Sequence, residues 1–407
     1  MKICHVVPIY SPGTLFGSSR YVQDISNRLA RKGHLLTVLT ANAITGRGWV
    51  DPLFGKYSWV KEEMINGVRV KRLKTRWQIT STMFLLKRIG GWFLPDSIGN
   101  IVSFLSDGPY LSDLKKEFQN ERYGAIHVTP SPYALVYLVW RACKALRIPF
   151  ICSPFIHFED PRFKNPLLWE ALKDATLVIA CSNYEKEGII KMGIQPSKII
   201  LVPMGINSNE WENADGERFR RKYRLKGKKL ILFAGPKGYD KGAFHLLNAV
   251  QRLRQKMEDL VLVSIGLPTR MWRKKKRMLD ESNLLDLGYL NEEEKRDAFA
   301  ACDIFVLPSR YDSFGIVYLE AWRCGKPVIG AKVGAIPEVI EEDRDGLLVE
   351  FGDVEQLTSK MFYLLNHPDL CKEMGENGRR KVVERFTWEK NIEIVENVFK
   401  KAKIEWR

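Results

Sequence analysis

Short apolar runs recur along the chain, and between them apolar residues return every three or four positions. The runs Ile3-Cys4-His5-Val6-Val7, His34-Leu35-Leu36-Thr37-Val38-Leu39-Thr40, Ala125-Ile126-His127-Val128 and Pro149-Phe150-Ile151-Cys152, with two more at 176–180 and 198–202, read as strands. Between them lie helical patterns, one from Arg20 to Arg31 that stops at Lys32-Gly33 and one from Tyr133 to Ala145 that opens after Ser131-Pro132. Strand and helix in alternation predict a parallel, doubly wound sheet with ligands at the carboxyl ends of its strands, where Gly17 and His157 both fall. The rhythm restarts at Leu230-Ile231-Leu232-Phe233-Ala234 and continues through 260–265, 304–307 and 327–329. Residues 208–228 are polar and charged and read as a linker, and no short-period repeat is present. The expected organisation is α/β throughout: a Rossmann-like domain at 1–205, a second at 206–386, and a helix at 387–407 packing back on the first domain. The closing helix has Ile392, Val395, Val398 and Phe399 at helical spacing.

Residues 41–120 interrupt this pattern. Within them 68–73 alternates like a strand, and 83–94 mixes aromatic, aliphatic and basic residues. That mixture suits a membrane-surface segment or an apolar acceptor groove. A helical hairpin packed on the core is the preferred reading, since Gly90-Gly91 and Pro95 break any long helix.

Composition narrows the class. A chain of 407 residues exceeds what one core usually supports, and 45% hydrophobic with 28% charged residues is ordinary for a globular protein. No apolar run reaches the roughly 18 residues a bilayer span needs, and the first strand begins without a signal-peptide layout. Seven cysteines without Cys-x-x-Cys spacing read as core residues in a reducing compartment, so a cytoplasmic location is expected, peripheral at the inner membrane face at most. Most of the net charge of +16 falls in residues 1–205. A basic half attracts nucleic acid, an anionic membrane or phosphorylated substrates, or is simply a solvated surface. The basic run at 270–277 reads as the wet face of a helix. Trp272 alone is thin support for nucleic-acid binding, so no nucleic-acid partner is expected.

Five places could carry chemistry. The strand Ile304-Phe305-Val306-Leu307 halts at Pro308, and a loop with Asp312 and Gly315 leads into a helix bearing Glu320. Backbone N–H groups at such a helix start favour phosphate, and the two carboxylates could reach a ligand's hydroxyls or simply face water. The loop after the 230–234 strand holds Lys237 and Lys241 beside another helix start, where two ammonium groups would neutralise a diphosphate; a solvated turn is the plainer alternative. The loop Tyr10-Ser11-Pro12-Gly13-Thr14-Leu15-Phe16-Gly17 could let a ligand approach the backbone, but neither the dinucleotide fingerprint nor the P-loop pattern is present. His157 stands on a strand-end loop, where a lone histidine is more often structural than catalytic. Asp343-Arg344-Asp345 looks like a metal-binding Asp-x-Asp, yet reads better as an ordinary turn.

Taken in order, these segments resemble the retaining, GT-B-fold glycosyltransferases of family 4, nearly end to end. The resemblance rests on the Pro-x-Tyr-x-Pro-Gly loop with Gly17, Arg31-Lys32-Gly33-His34, Ala125-Ile126-His127-Val128 and Ser182-Asn183-Tyr184. It continues through Val202-Pro203-Met204-Gly205-Ile206, Lys241-Gly242, Pro308-Ser309, the span from Asp312 to Glu320, and Gly334-Ala335-Ile336-Pro337-Glu338. It implies two Rossmann-like domains facing each other across a cleft, with a nucleotide-sugar donor on the C-terminal one and a glycan or lipid-linked acceptor on the other. It implies that Glu320 holds the ribose hydroxyls, and that Asp312 with the amides of Phe314 and Gly315 holds the donor sugar. The helix start at Ile316 and Val317, Lys241 and the Gly17 loop would stabilise the leaving diphosphate with no metal or other cofactor. His157 matches the family's active-site histidine. Two departures stand out. The family usually has Glu where this chain has Asp312, and Arg where it has Pro236; either Lys237, one residue on, supplies the lost charge, or Lys241 acts alone. The rival expectation is a glycosyltransferase-like binding protein that has lost its chemistry, with Pro236 as its mark.

Overall fold

The computed structural model describes residues 1–10, 17–43, 56–90, 95–278 and 283–405. Most of the first glycine loop and residues 91–94 lie outside the described residues. The chain divides into two compact units, Met1–Pro203 with Trp388–Arg407, and Met204–Thr387.

The first unit is built on eight strands: β1 (Lys2–Val6), β2 (Leu35–Ala41), β3 (Glu62–Ile65), β4 (Val68–Leu73), β5 (Ala125–Val128), β6 (Phe150–Cys152), β7 (Leu177–Ala180) and β8 (Ile199–Leu201). Their order is β3-β4-β2-β1-β5-β6-β7-β8, parallel except for the β3–β4 pair. Strands covered on both faces by helices must be apolar throughout, which is why β5, β6 and β7 are fully buried runs. The order reverses between β1 and β5, and a crevice opens at the carboxyl ends of strands that diverge in this way.

Helices Trp77–Gly90 and Asp96–Ser106 pack on each other as a hairpin, as preferred for this segment. Phe84, Leu85, Leu86 and Ile89 nevertheless stay exposed on it. The terminal helix Trp388–Glu405 lies against helix Gly17–Arg31. Glu396 accepts from Lys32 at 3.0 Å and from His34 at 3.1 Å, and Asn391 donates to the Pro203 carbonyl at 2.9 Å.

The second unit holds β9 (Lys229–Ala234), β10 (Leu260–Ile265), β11 (Leu284–Asp286), β12 (Ile304–Leu307), β13 (Val328–Ala331) and β14 (Gly346–Val349). All are parallel, in the order β11-β10-β9-β12-β13-β14, so the reversal falls between β9 and β12.

A buried polar chain runs through the centre of the first unit. His5 and His127 face each other in the β1–β5 register with their Nδ1 atoms 2.9 Å apart. His127 Nε2 lies 2.9 Å from Ser153 Oγ, which is 3.1 Å from the Tyr21 hydroxyl. Phe399 of the terminal helix closes edge-on over both rings. Burial pushes the His5 imidazole down to about 3 and that of His127 well below its usual value. The folded unit thus keeps both rings neutral where the unfolded chain takes up protons, so stability falls as pH drops below the ordinary histidine value of about 6.5. Unfolding of the wild type and of His5→Leu/His127→Asn between pH 7.5 and 5 should show the variant weaker at neutral pH but flatter across the range. A difference independent of pH would show that the pair does not titrate on unfolding.

Candidate active site

At the carboxyl ends of β9 and β12 two loops meet. β12 is fully buried and ends at Pro308, and Ser309 beyond it is also buried. Gly242, which opens helix Ala243–Arg254, sits so close to the other loop that a Cβ would lie 1.9 Å from the Pro308 carbonyl oxygen. Only glycine permits that approach. The Arg310 amide then donates to the Asp240 carbonyl at 2.7 Å, joining the loops through their backbones. Side chains join them again: Lys241 Nζ donates to Asp312 Oδ2 at 2.8 Å and to the Tyr311 carbonyl at 3.2 Å.

Gly315, at φ 77, turns the chain into helix Ile316–Arg323. A side chain there would strike the Tyr318 ring, whose hydroxyl donates to the Leu307 carbonyl at 2.7 Å and pins the helix to the strand end. The first-turn amides, those of Ile316 and Val317 among them, have no intrahelical acceptor, and this turn follows directly on the loop that carries Asp312. The Phe314 amide makes a long contact, 3.4 Å, with Asp312 Oδ1. Farther along the same helix, Glu320 is mostly buried, and its Oε1 accepts from Lys295 at 2.8 Å. The structure brings Lys241 and Asp312 into contact, with Phe314 and Gly315 on the same loop and Ile316 and Val317 in the first turn that follows, while Glu320 stands a turn farther along the helix against Lys295.

Lys237 is a correction. Its ammonium does not stand free in the loop to replace the arginine absent at Pro236. It is buried, 2.6 Å from Asp286 Oδ1, also donates to the Leu287 carbonyl, and lies over the Trp272 ring. Burial lowers its pKa, and Asp286 opposes that shift. Trp272 and Lys276 bond the same carboxylate, so the basic run at 270–277 is partly spent on this buried cluster. Asp343-Arg344-Asp345 is a turn, as read: Asp343 is left-handed at φ 64, and buried Asp345 accepts from the Glu341 amide at 3.0 Å and pairs with Lys381. Among the described residues no group of three or more His, Cys, Asp or Glu gathers as a metal site would require.

In the first unit His157 is half-buried on the loop after β6, edge-on to Phe163 at 5.4 Å. Ser153, the end of the histidine chain, begins this loop. Glu185, which the sequence reading passed over, supports its middle. The buried carboxylate accepts from the Ile156 amide and from the Cys181 amide, each at 2.7 Å. Burial raises its pKa against the lowering pull of those amides. The signal was present as Ser182-x-x-Glu185, a capping-box pattern in which Ser182 Oγ accepts from the Glu185 amide at 3.0 Å. Gly17 begins helix Gly17–Arg31, exposed and with open space beside its Cα.

Two doubly wound units, each on a sheet that is parallel but for one edge pair in the first, are the architecture of the GT-B class. The fold is similar to that of the Anabaena protein HepE, solved with UDP and glucose, with a TM-score of 0.75 at 17% identity over 98% of this chain and 99% of that one. The family model for glycosyl transferases group 1 matches residues 215–381, and that for glycosyltransferase family 4 matches residues 17–210. The chain belongs to the GT-B glycosyltransferases of family 4. The O-antigen chain mannosyltransferase C of Escherichia coli is 25% identical over 98% of both chains. The MMP alpha-(1->4)-mannosyltransferase of Mycolicibacterium hassiacum is 31% identical, over 51% of this chain and half of its own length. Among the described residues no helix is long and apolar enough to cross a membrane.

The two lysines of the β9 loop should behave differently. Lys237→Met leaves a partly buried carboxylate short of one partner and should lower unfolding free energy by about 2–3 kcal/mol. Lys241→Met removes an ammonium that is 28% exposed where Lys237 is 1% exposed, and should cost less, about 1 kcal/mol. Urea unfolding of the two variants decides it, and equal losses would contradict the burial difference.

Proposed function

We propose that the protein transfers a hexosyl or related glycosyl group from a nucleotide-diphosphate sugar to a glycan or lipid-linked acceptor, with retention of configuration and without a resident metal. The observation that carries this reading is the Lys241–Asp312 contact beside the open amides of helix Ile316–Arg323. A diphosphate at that helix start draws Lys241 away from Asp312, and the freed carboxylate accepts hydroxyls of the donor sugar. Glu320 holds the ribose hydroxyls. As the bond from the anomeric carbon to the phosphate oxygen breaks, the new charge meets the ammonium and the helix dipole. The acceptor hydroxyl bonds to that carbon on the face being vacated, and its proton passes to the departing phosphate oxygen. Roles for His157 and for Gly17, both on the first unit, are carried over from the family resemblance rather than from geometry.

Support for the donor class comes from the relatives: HepE was solved with UDP and glucose, and two relatives are named mannosyltransferases. Hydrolysis of nucleotide sugars by wild type and Lys241→Ala tests the chemistry. The expected loss in the variant is 100-fold or more, on the order of one strong electrostatic donor. Equal inertness of both proteins, with nucleotide still bound, would favour the binding protein without chemistry, a reading that the burial of Lys237 strengthens. Turnover should survive chelation within about twofold, and a loss reversed by a divalent cation would overturn metal independence.

A peripheral contact with an anionic membrane is part of the proposal. The exposed Phe84, Leu85, Leu86 and Ile89 surround Lys87 and Arg88 on the first helix of the hairpin, in a chain of net charge +16. Lys87→Glu/Arg88→Glu should reduce flotation with vesicles rich in anionic lipid by at least about fivefold at low salt. Unchanged flotation would remove the membrane from the reading.

A further inference from the structure

Glu320 has a partner with a history of its own in the fold. Helix Glu292–Ala301 is capped by Asn291, whose side chain accepts from the Glu294 amide at 2.8 Å, and it carries Lys295. The Lys295 ammonium lies 2.8 Å from Glu320 Oε1 and 3.3 Å from Glu292 Oε2. It also rests 5.6 Å above the ring of Trp211, a buried residue packed edge-on against Phe299. Held from three directions, the lysine has little rotamer freedom left to lose. Its side chain is 22% exposed and that of Glu320 only 12%. Glu320 Oε2 makes no hydrogen bond among the described residues. A carboxylate offers about four lone-pair directions, so one taken by Lys295 leaves enough for two hydroxyls.

We propose that Lys295 is a positioning residue that fixes the Glu320 carboxylate so that it reads the vicinal hydroxyls of a ribose, making the site selective for ribonucleotides over 2′-deoxyribonucleotides. The inference rests on the reading that Glu320 holds the donor's ribose. An acceptor already fixed in place loses less freedom on binding, so more of each hydroxyl contact survives as affinity. A largely buried acceptor built for a hydroxyl is left unpaired by the analogue that lacks it, which is where discrimination arises. Without Lys295 the Glu320 side chain can turn, and its charge is uncompensated in a mostly dry place. The hydroxyl contact then weakens while the diphosphate contacts at Lys241 and the helix start remain.

The test is calorimetric binding of ADP, GDP and UDP and of their 2′-deoxy counterparts to wild type, Lys295→Met, Lys295→Arg and Glu320→Gln, with circular dichroism to confirm folding. For the base that binds, wild type should favour the ribonucleotide at least about tenfold. Lys295→Met should shrink that preference to within about threefold with little change in deoxynucleotide affinity. Glu320→Gln should do the same, the double variant should add nothing, and Lys295→Arg should restore most of it. Lys295→Met that keeps the tenfold preference, or weakens both nucleotides equally, overturns the positioning role while Glu320→Gln still reports on the ribose. Retained preference in Glu320→Gln, or no binding by any nucleotide, brings down the underlying reading and the inference with it.

Discussion

The contact of 2.8 Å between Lys241 and Asp312 joins the loops that crown β9 and β12, the strands on either side of the reversal in the second sheet. Several separate features make it possible. Gly242 lacks the Cβ that would strike the Pro308 carbonyl, so the β9 loop can lie against the β12 loop. The amide of Arg310 then finds the Asp240 carbonyl, and Gly315 turns the chain so that Tyr318 can anchor the next helix to Leu307. The rest of the unit, six parallel strands and their helices, is the frame that holds the two strand ends side by side.

The first unit solves a similar problem with different chemistry. The His157 loop begins at Ser153, where a chain of buried hydrogen bonds through His127 and His5 ties three strands together. Its middle is held by a single buried carboxylate, Glu185, acting on two backbone amides. A buried carboxylate left without donors would be costly, so the loop and the acid stabilise each other. Phe399 and Trp388 bring the terminal helix onto the same group of aromatic rings, so the last residues of the chain help complete a centre begun by its first strand.

How much of this the sequence shows depends on burial. Strands covered on both faces are unbroken apolar runs, so β1, β2, β5, β9, β10 and β12 were readable as they stand. Edge strands need no such run: β3, Glu62–Ile65, is half charged, and β11, Leu284–Asp286, is three residues long, and neither stands out. The glycines and carboxylates of the β12 loop were legible because their spacing along the chain matches their places around one helix start. Lys237 and Lys241 could not be told apart, being the same residue four positions apart in a polar loop. What separates them is Asp286 and Trp272, brought in from β11 and a distant helix to bury one ammonium while the other stays partly exposed. Lys295 was invisible as a site residue for the same reason: nothing near it in sequence points to Glu320.

Asp312 and Glu320 of the second unit each have a lysine as counter-ion, Asp312 with Lys241 and Glu320 with Lys295. The two pairs differ in what a ligand asks of them. On the proposed function a diphosphate competes with Asp312 for Lys241, because an ammonium forms its stronger contacts with the more charged anion, and the loss of one pair becomes the release of an acid for sugar hydroxyls. A ribose is neutral and offers Lys295 nothing to exchange for, so the second pair persists and acts as a fixed fixture. On the proposed function, the same residue pairing thus serves as a switch at one end of the helix and as a brace at the other. The difference follows from ligand charge and from the further hold of Glu292 and Trp211 on Lys295, since the two contacts are of equal length and the two carboxylates almost equally buried, 13% and 12% exposed.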